Sequence, residues 1–158
     1  MRYGSPAMKT NVMRKVTHAT PAAPSALGLV SGPELESLRV ALARGLMPFD
    51  LEQKLAALDG HDVVENDLRH KSLLFLALLE AVRAGAFHEV TPAQQERILR
   101  VLAYLRKDDD AIPDTQENGY LDDLAEVRSA FHDLEILLQH FKHWRLKHQV
   151  PSLWMQAA

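Results

Sequence analysis

Residues 119–147 read GYLDDLAEVRSAFHDLEILLQHFKHWRLK, and this stretch decides the fold of the chain. Its large apolar side chains recur every three or four positions, which is the spacing of one face of an α-helix. The residues on this face are Tyr120, Leu124, Val127, Phe131, Leu134, Leu138 and Phe141. The pattern predicts one long amphipathic helix that reaches about Lys147 and packs against other helices.

Four further helices are predicted upstream, from start and stop signals. The start signals are two capping boxes, Ser31–Glu34 and Thr91–Gln94, and two caps, Asp50 and Asp62. The stop signals are Gly45, Gly60 and Gly85 for the first three helices, and the fourth ends near Lys107. The longest apolar run, Leu73–Leu79, predicts that the third helix is central. The sequence therefore predicts an all-α fold, a single bundle of about five helices ending in one long amphipathic helix.

The composition divides the chain into one domain and two tails. A length of 158 residues suits a single domain. Residues 1–30 lack acidic side chains and are basic and rich in Pro and Ala, so we expect a flexible segment there. Residues 31–150 are the predicted bundle, and residues 151–158 follow Val150 as a C-terminal tail.

The net charge and the absence of cysteine limit the kinds of partner and the cellular location that we expect. The net charge of -3 does not favour nucleic acid as a partner. With no Cys, the chain needs no oxidising compartment, and we expect a cytoplasmic protein. The run Leu73–Leu79 is much shorter than the roughly 20 residues that span a bilayer, so no spanning helix is expected.

An acidic turn precedes the last helix, with seven carboxylates within residues 108–123. Crowded carboxylates repel one another unless a cation offsets their charge, and hard cations prefer oxygen ligands. An EF-hand is excluded because Pro113 stands where that loop requires Gly. A divalent cation held by Asp114, Asp122 and Asp123 is therefore one hypothesis, and no other cofactor is expected.

Asp122 and Asp123 differ in their position on the helix. Asp122 projects to the polar side, where a negative charge in the first turn suits the helix dipole. Asp123 falls on the apolar stripe, where a carboxylate must be paired, hydrogen-bonded or bound to a ligand. The structural interpretation is a bond to backbone amides or to an Arg or His of a neighbouring helix. The alternative is a metal or ligand site.

The acidic turn also carries a family resemblance. Ile112-Pro113-Asp114 followed by Gly119-Tyr120-Leu121-Asp122-Asp123 resembles the signature of the YkvA-like family, a group of small bacterial helical domains of unknown function. The resemblance covers residues 103–145 and implies a helical fold without any catalytic assignment. The positions that match the motif are Pro113, Asp114, Gly119, Asp122 and Asp123.

The end of the last helix is basic and aromatic. Trp144, Arg145 and Lys147 lie there, and Trp154 follows in the tail. Cations suit the C-terminal end of a helix dipole. Docking of a partner helix or contact with an anionic membrane surface is the functional alternative. His140 and His143 have the spacing of a metal-binding pair, but their polar neighbours favour an exposed face.

The sequence contains no Gly-rich phosphate loop, no nucleophile elbow and no His-Glu-x-x-His motif. We therefore expect a non-enzymatic interaction or regulatory module that binds a protein partner or a second copy of itself. One alternative is a metal-binding domain or metal-dependent hydrolase that uses the acidic turn. The other is peripheral membrane association through the C-terminal helix end.

Overall fold

The computed structural model describes residues 26–58, 60, 62–107 and 119–148. Within these ranges the chain forms helices and no strand, which confirms the all-α prediction. The elements are a 3-10 helix Ala26–Leu29, α1 Gly32–Ala43, α2 Phe49–Ala57, α3 Val63–Arg83, α4 Pro92–Leu105, α5 Leu121–Asp133 and α6 Glu135–His148.

Helix α3 shares the core of the bundle with α4, which contacts α1, α3, α5 and the 3-10 helix. The predicted central helix α3 itself packs against α1, α4 and α5. Every residue from Leu73 to Leu79 is buried, so this helix is covered on all sides over two turns. The core continues into α4 and α5, where Ile98, Leu102 and Val127 are fully buried.

Three helix starts follow the predicted capping chemistry. The Ser31 hydroxyl accepts from the Glu34 amide, and the Glu34 carboxylate accepts from the Ser31 amide. Thr91 and Gln94 form the same reciprocal pair at the start of α4. Asp62 caps α3 by accepting from an amide two residues on. These bonds satisfy backbone donors that the first helical turn leaves without partners.

The predicted cap of α2 is wrong. Helix α2 begins at Phe49, and Pro48 occupies the cap position without a side-chain hydrogen bond. Asp50 lies inside the helix instead, and its Oδ2 lies 2.9 Å from Nε of Arg106, beyond the end of α4. Its Oδ1 also accepts from the Leu51 amide at 2.8 Å, so the carboxylate joins two elements and satisfies one donor of the first turn of α2.

The predicted single last helix is two helices in the structure. α5 and α6 meet at Leu134, whose φ of -109° and ψ of 14° depart from α-helical values. Backbone hydrogen bonds continue on both sides, from Leu134 to Ala130 and from Leu138 to Leu134. The apolar stripe stays in phase across the break, so Leu134, Leu138 and Phe141 are all buried.

The packed domain starts earlier than residue 31. The 3-10 helix at residues 26–29 contacts α4 and α5, and Val30 is buried. The rest of the predicted N-terminal segment and the tail 151–158 lie outside the described residues. Among the helices that are described, none is long and apolar enough to cross a membrane.

Candidate functional site

A buried ion pair lies at the start of α5. The Nζ atom of Lys54, on α2, is 2.8 Å from Oδ2 of Asp123. The Lys54 side chain is 5% exposed and that of Asp123 is 0% exposed. Asp123 is thus buried, as its position on the apolar stripe predicted, and it pairs with a lysine, which the sequence analysis had not named as a partner. Pairing explains how a charged group is tolerated in the core.

Lys54 also contacts the chain on both sides of the acidic segment 108–118. Its ammonium donates to the backbone carbonyl of Lys107, at a distance of 2.9 Å. It also lies 5.9 Å from the centre of the Tyr120 ring, within the range of a cation–π interaction. One ammonium group therefore joins α2, the chain two residues after α4 and the start of α5.

The sequence of α2 explains why Lys54 is buried. Leu51, Lys54, Leu55 and Leu58 have the i, i+3, i+4, i+7 spacing of one helix face, and all four are buried. The aliphatic part of a lysine can pack among leucines while its ammonium reaches a partner. A lysine on an apolar stripe was thus a signal in the sequence that pointed to a buried pair, and the sequence analysis missed it.

Asp122 is held by a different helix. The hydroxyl of Tyr104, a fully buried residue of α4, donates to Oδ2 of Asp122 at 3.0 Å. Asp122 therefore bonds to α4 as well as lying in the first turn of α5. A third carboxylate, Glu126, follows one turn later and is also buried, and the sequence analysis did not single it out.

The candidate metal ligands are only partly brought together. Asp122 and Asp123 are neighbours in the first turn of α5, but their carboxylates bond to different helices, to Tyr104 of α4 and to Lys54 of α2. Asp114 and Pro113 lie outside the described residues. No group of three or more metal-ligating side chains occurs in the part of the chain that the structure describes. The Lys54 ammonium offsets the charge of Asp123 without a metal ion.

A surface cleft of about 310 Å³ lies beside the end of α4. Two ion pairs form its walls: Lys107 Nζ lies 2.7 Å from Oε1 of Glu34, and Arg106 pairs with Asp50. The positive and negative groups are therefore balanced. Lys107 links the cleft to the core, because its carbonyl accepts from Lys54 while its ammonium bonds to Glu34.

The Lys107 ammonium, together with the Ser31 amide and hydroxyl, lowers the pKa of Glu34 from 4.5 to about 2. Because this pKa is depressed in the folded chain, the ionised Glu34 carboxylate contributes its full stabilisation above pH 4.5. That contribution is lost as the pH falls through about 2. Glu34→Gln keeps an acceptor for the capping box and removes the charge. We expect it to lower the free energy of unfolding by about 1 kcal/mol at pH 7, since solvent screens the pair.

Urea denaturation of wild type and Glu34→Gln between pH 2 and pH 7 tests this prediction. The difference between their free energies of unfolding is expected to shrink as the pH falls. Glu52→Gln is the control, because Glu52 is exposed and makes no ion pair with any described residue. A Glu34→Gln effect that stays constant with pH would contradict an electrostatic origin.

An aromatic cluster lies under the C-terminal half of α6. The Phe87 ring centre is 5.2 Å from that of Phe141 and 5.4 Å from that of Trp144. Trp144 also stacks on Phe141 and on His148. The tryptophan predicted as a docking residue is therefore half-buried, with part of its surface used in the bundle. Arg145 lies over the Phe141 ring.

The opposite side of α6, here named the α6 outer face, is exposed. It consists of Ile136, Gln139, His140, His143, Leu146 and Lys147. Ile136 is 72% exposed and Leu146 is 81% exposed. His140 lies 3.2 Å from a carboxylate oxygen of Glu89, so the predicted histidine pair is part of an exposed polar face with one carboxylate neighbour. Trp154 lies outside the described residues.

Fold and site together define an all-helical domain with a buried lysine–aspartate pair beside an acidic segment. Comparisons of the chain with protein-family models, with curated proteins and with solved structures found no match. The resemblance of residues 112–114 and 119–123 to the YkvA-like family stays a prediction.

Proposed function

We propose that this protein is a non-enzymatic interaction module that binds an acidic helix of a partner protein through the α6 outer face. The observation that carries the proposal is the exposure of Ile136 and Leu146 on one side of a helix whose other side is packed. Ten residues separate them, or about 15 Å along a helix axis. Apolar anchors at such spacing suit a helix that lies along α6.

The charges around these anchors indicate the chemistry of the partner. Lys142 and Lys147 are exposed and make no ion pair within the described ranges, and His143 lies between them on α6. A partner surface with acidic side chains would complement this end of the helix and speed association. Together with the exposed apolar side chains of Ile136 and Leu146, these cations favour an acidic, amphipathic helix as the partner.

The buried pair supports the same proposal. Asp123 was the residue that most invited a metal or catalytic role, and Lys54 already binds it. Asp122 and Asp123 then serve the architecture, and the exposed face of α6 serves recognition. We further propose that this recognition takes place in the cytoplasm.

A pair of substitutions that introduces negative charge tests the proposal. Ile136→Glu with Leu146→Glu places two carboxylates on the α6 outer face. Val40→Glu with Val63→Glu is the matched control, because both valines are exposed and lie on α1 and α3. Partners captured from the native lysate are identified by mass spectrometry, purified, and titrated against all three proteins.

The expected result is a partner with an acidic helix that binds wild type and the control equally and binds the α6 variant at least about tenfold more weakly. Its affinity should fall as salt is added. If light scattering shows a dimer that only the α6 variant abolishes, the partner is a second copy. Identical partner sets for all three proteins, with each a monomer, would refute the proposal.

Binding to a membrane surface is the competing outcome. Co-sedimentation with phosphatidylserine vesicles, reduced by Trp144→Ala with Lys147→Ala and unaffected by Ile136→Glu with Leu146→Glu, would replace the protein partner with a lipid surface.

A further inference from the structure

A second cleft lies between α1, α3 and α4, and no residue of α6 lines it. Its volume is about 160 Å³, and its floor is formed by Leu42, Leu79, Val82 and Leu99. A cavity of about 150 Å³ with comparable aliphatic walls is known to take up benzene. The floor therefore suits one aromatic ring or one branched aliphatic group.

The rim of this cleft is positively charged. Its polar members are Arg39, Arg83 and Gln95, and no acidic side chain is among the described residues that line it. Arg39 is neutralised, since its guanidinium lies 2.5 Å from Glu96 and 3.3 Å from Glu36. Arg83 has neither an ion pair nor a hydrogen bond from its side chain within the described part of the chain. The rim thus carries one cation without a counter-ion.

The position of Arg83 is constrained by Gly45, which ends α1 with a φ of +72°. A Cβ atom added to this glycine would lie 3.3 Å from Cζ of Arg83. The guanidinium is therefore packed against the last turn of α1, where the negative end of the helix dipole favours a cation. It stays at the rim, with donors available to a ligand.

We propose that this cleft binds small carboxylic acids that carry one aromatic or branched aliphatic group. The apolar group occupies the floor, and the carboxylate pairs with Arg83, whose planar fork matches two carboxylate oxygens. The Gln95 amide, at the same rim, is a second donor. This site goes beyond the proposed α6 interaction, because it lies on other helices and takes a small molecule.

Titration calorimetry with phenylacetate tests the proposal, and 2-phenylethanol is the neutral analogue. The proteins are wild type, Arg83→Gln and the control Arg44→Gln. Arg44 follows α1, is exposed, has no ion pair among the described residues and does not line the cleft. A ligand of about ten non-hydrogen atoms is expected to bind with a dissociation constant on the order of millimolar.

The expected result is that Arg83→Gln weakens the binding of phenylacetate by about tenfold or more and leaves the affinity for 2-phenylethanol nearly unchanged. Arg44→Gln should change neither affinity. Ala43→Phe, which fills the cleft from an exposed position, should abolish binding of both ligands while circular dichroism and the melting temperature stay those of wild type. No saturable binding of phenylacetate to wild type, or equal weakening by Arg44→Gln and Arg83→Gln, would overturn the proposal.

Discussion

Replacing Lys54 with Met is expected to lower the free energy of unfolding by about 3–5 kcal/mol. Methionine keeps the length and the aliphatic packing of the side chain, but it removes the ammonium that lies 2.8 Å from Asp123. The carboxylate would then be buried without its counter-ion, and the carbonyl of Lys107 would lose its donor. Urea denaturation at pH 7 measures the effect.

Two further variants separate the charge effect from packing. Lys142→Met is the matched control, because Lys142 is exposed on α6. This substitution should change the free energy of unfolding by no more than about 0.5 kcal/mol. Lys54→Met combined with Asp123→Leu replaces the pair with apolar groups and should recover most of the lost stability. If Lys54→Met costs no more than Lys142→Met, the buried pair does not stabilise the fold.

Phe141→Ala is expected to lower the free energy of unfolding by about 3–5 kcal/mol. The Phe141 side chain is almost fully buried, and its ring contacts those of Phe87 and Trp144. Its removal leaves a cavity beneath α6 and takes away the main apolar contact of that part of the helix. The α6 outer face would then lose its rigid support.

Tryptophan fluorescence reports on the packing around Trp144 when it is recorded in a Trp154→Phe background, where Trp144 is the remaining indole. Phe141→Ala should shift the Trp144 emission to longer wavelength in the native state, because water reaches the ring. Ile136→Ala, at an exposed position on the same helix, should change neither emission nor stability by a measurable amount. Equal effects of the two substitutions would show that α6 is not held by its aromatic cluster.

The parts of the fold that local chemistry determines could be predicted from the sequence. The capping boxes at Ser31 and Thr91 are satisfied within four residues, so their pattern suffices to locate two helix starts. The apolar run Leu73–Leu79 of α3 could be recognised equally well in the sequence, because a helical segment that is buried on all sides has no polar residue. The break at Leu134 was not visible, since one residue with changed dihedral angles leaves the apolar period intact.

Only one half of the buried pair, Asp123, could be predicted from the sequence. The helical period placed Asp123 on a buried face and so required a partner, but Lys54 is distant in the chain and only the tertiary fold brings its ammonium to the carboxylate. The same limit applies to Asp50, which has the spacing of a cap but lies inside α2 and bonds to Arg106 as well as to the Leu51 amide. A partner separated by dozens of residues leaves no local pattern for either carboxylate.

The contacts of Lys54 with the Lys107 carbonyl on one side and with the Asp123 carboxylate on the other make one side chain responsible for several joints of the fold. A single ammonium group serves both contacts. A change at Lys54 therefore reaches α2, the chain after α4 and the first turn of α5 at once, and no single substitution at one of these places can restore both contacts.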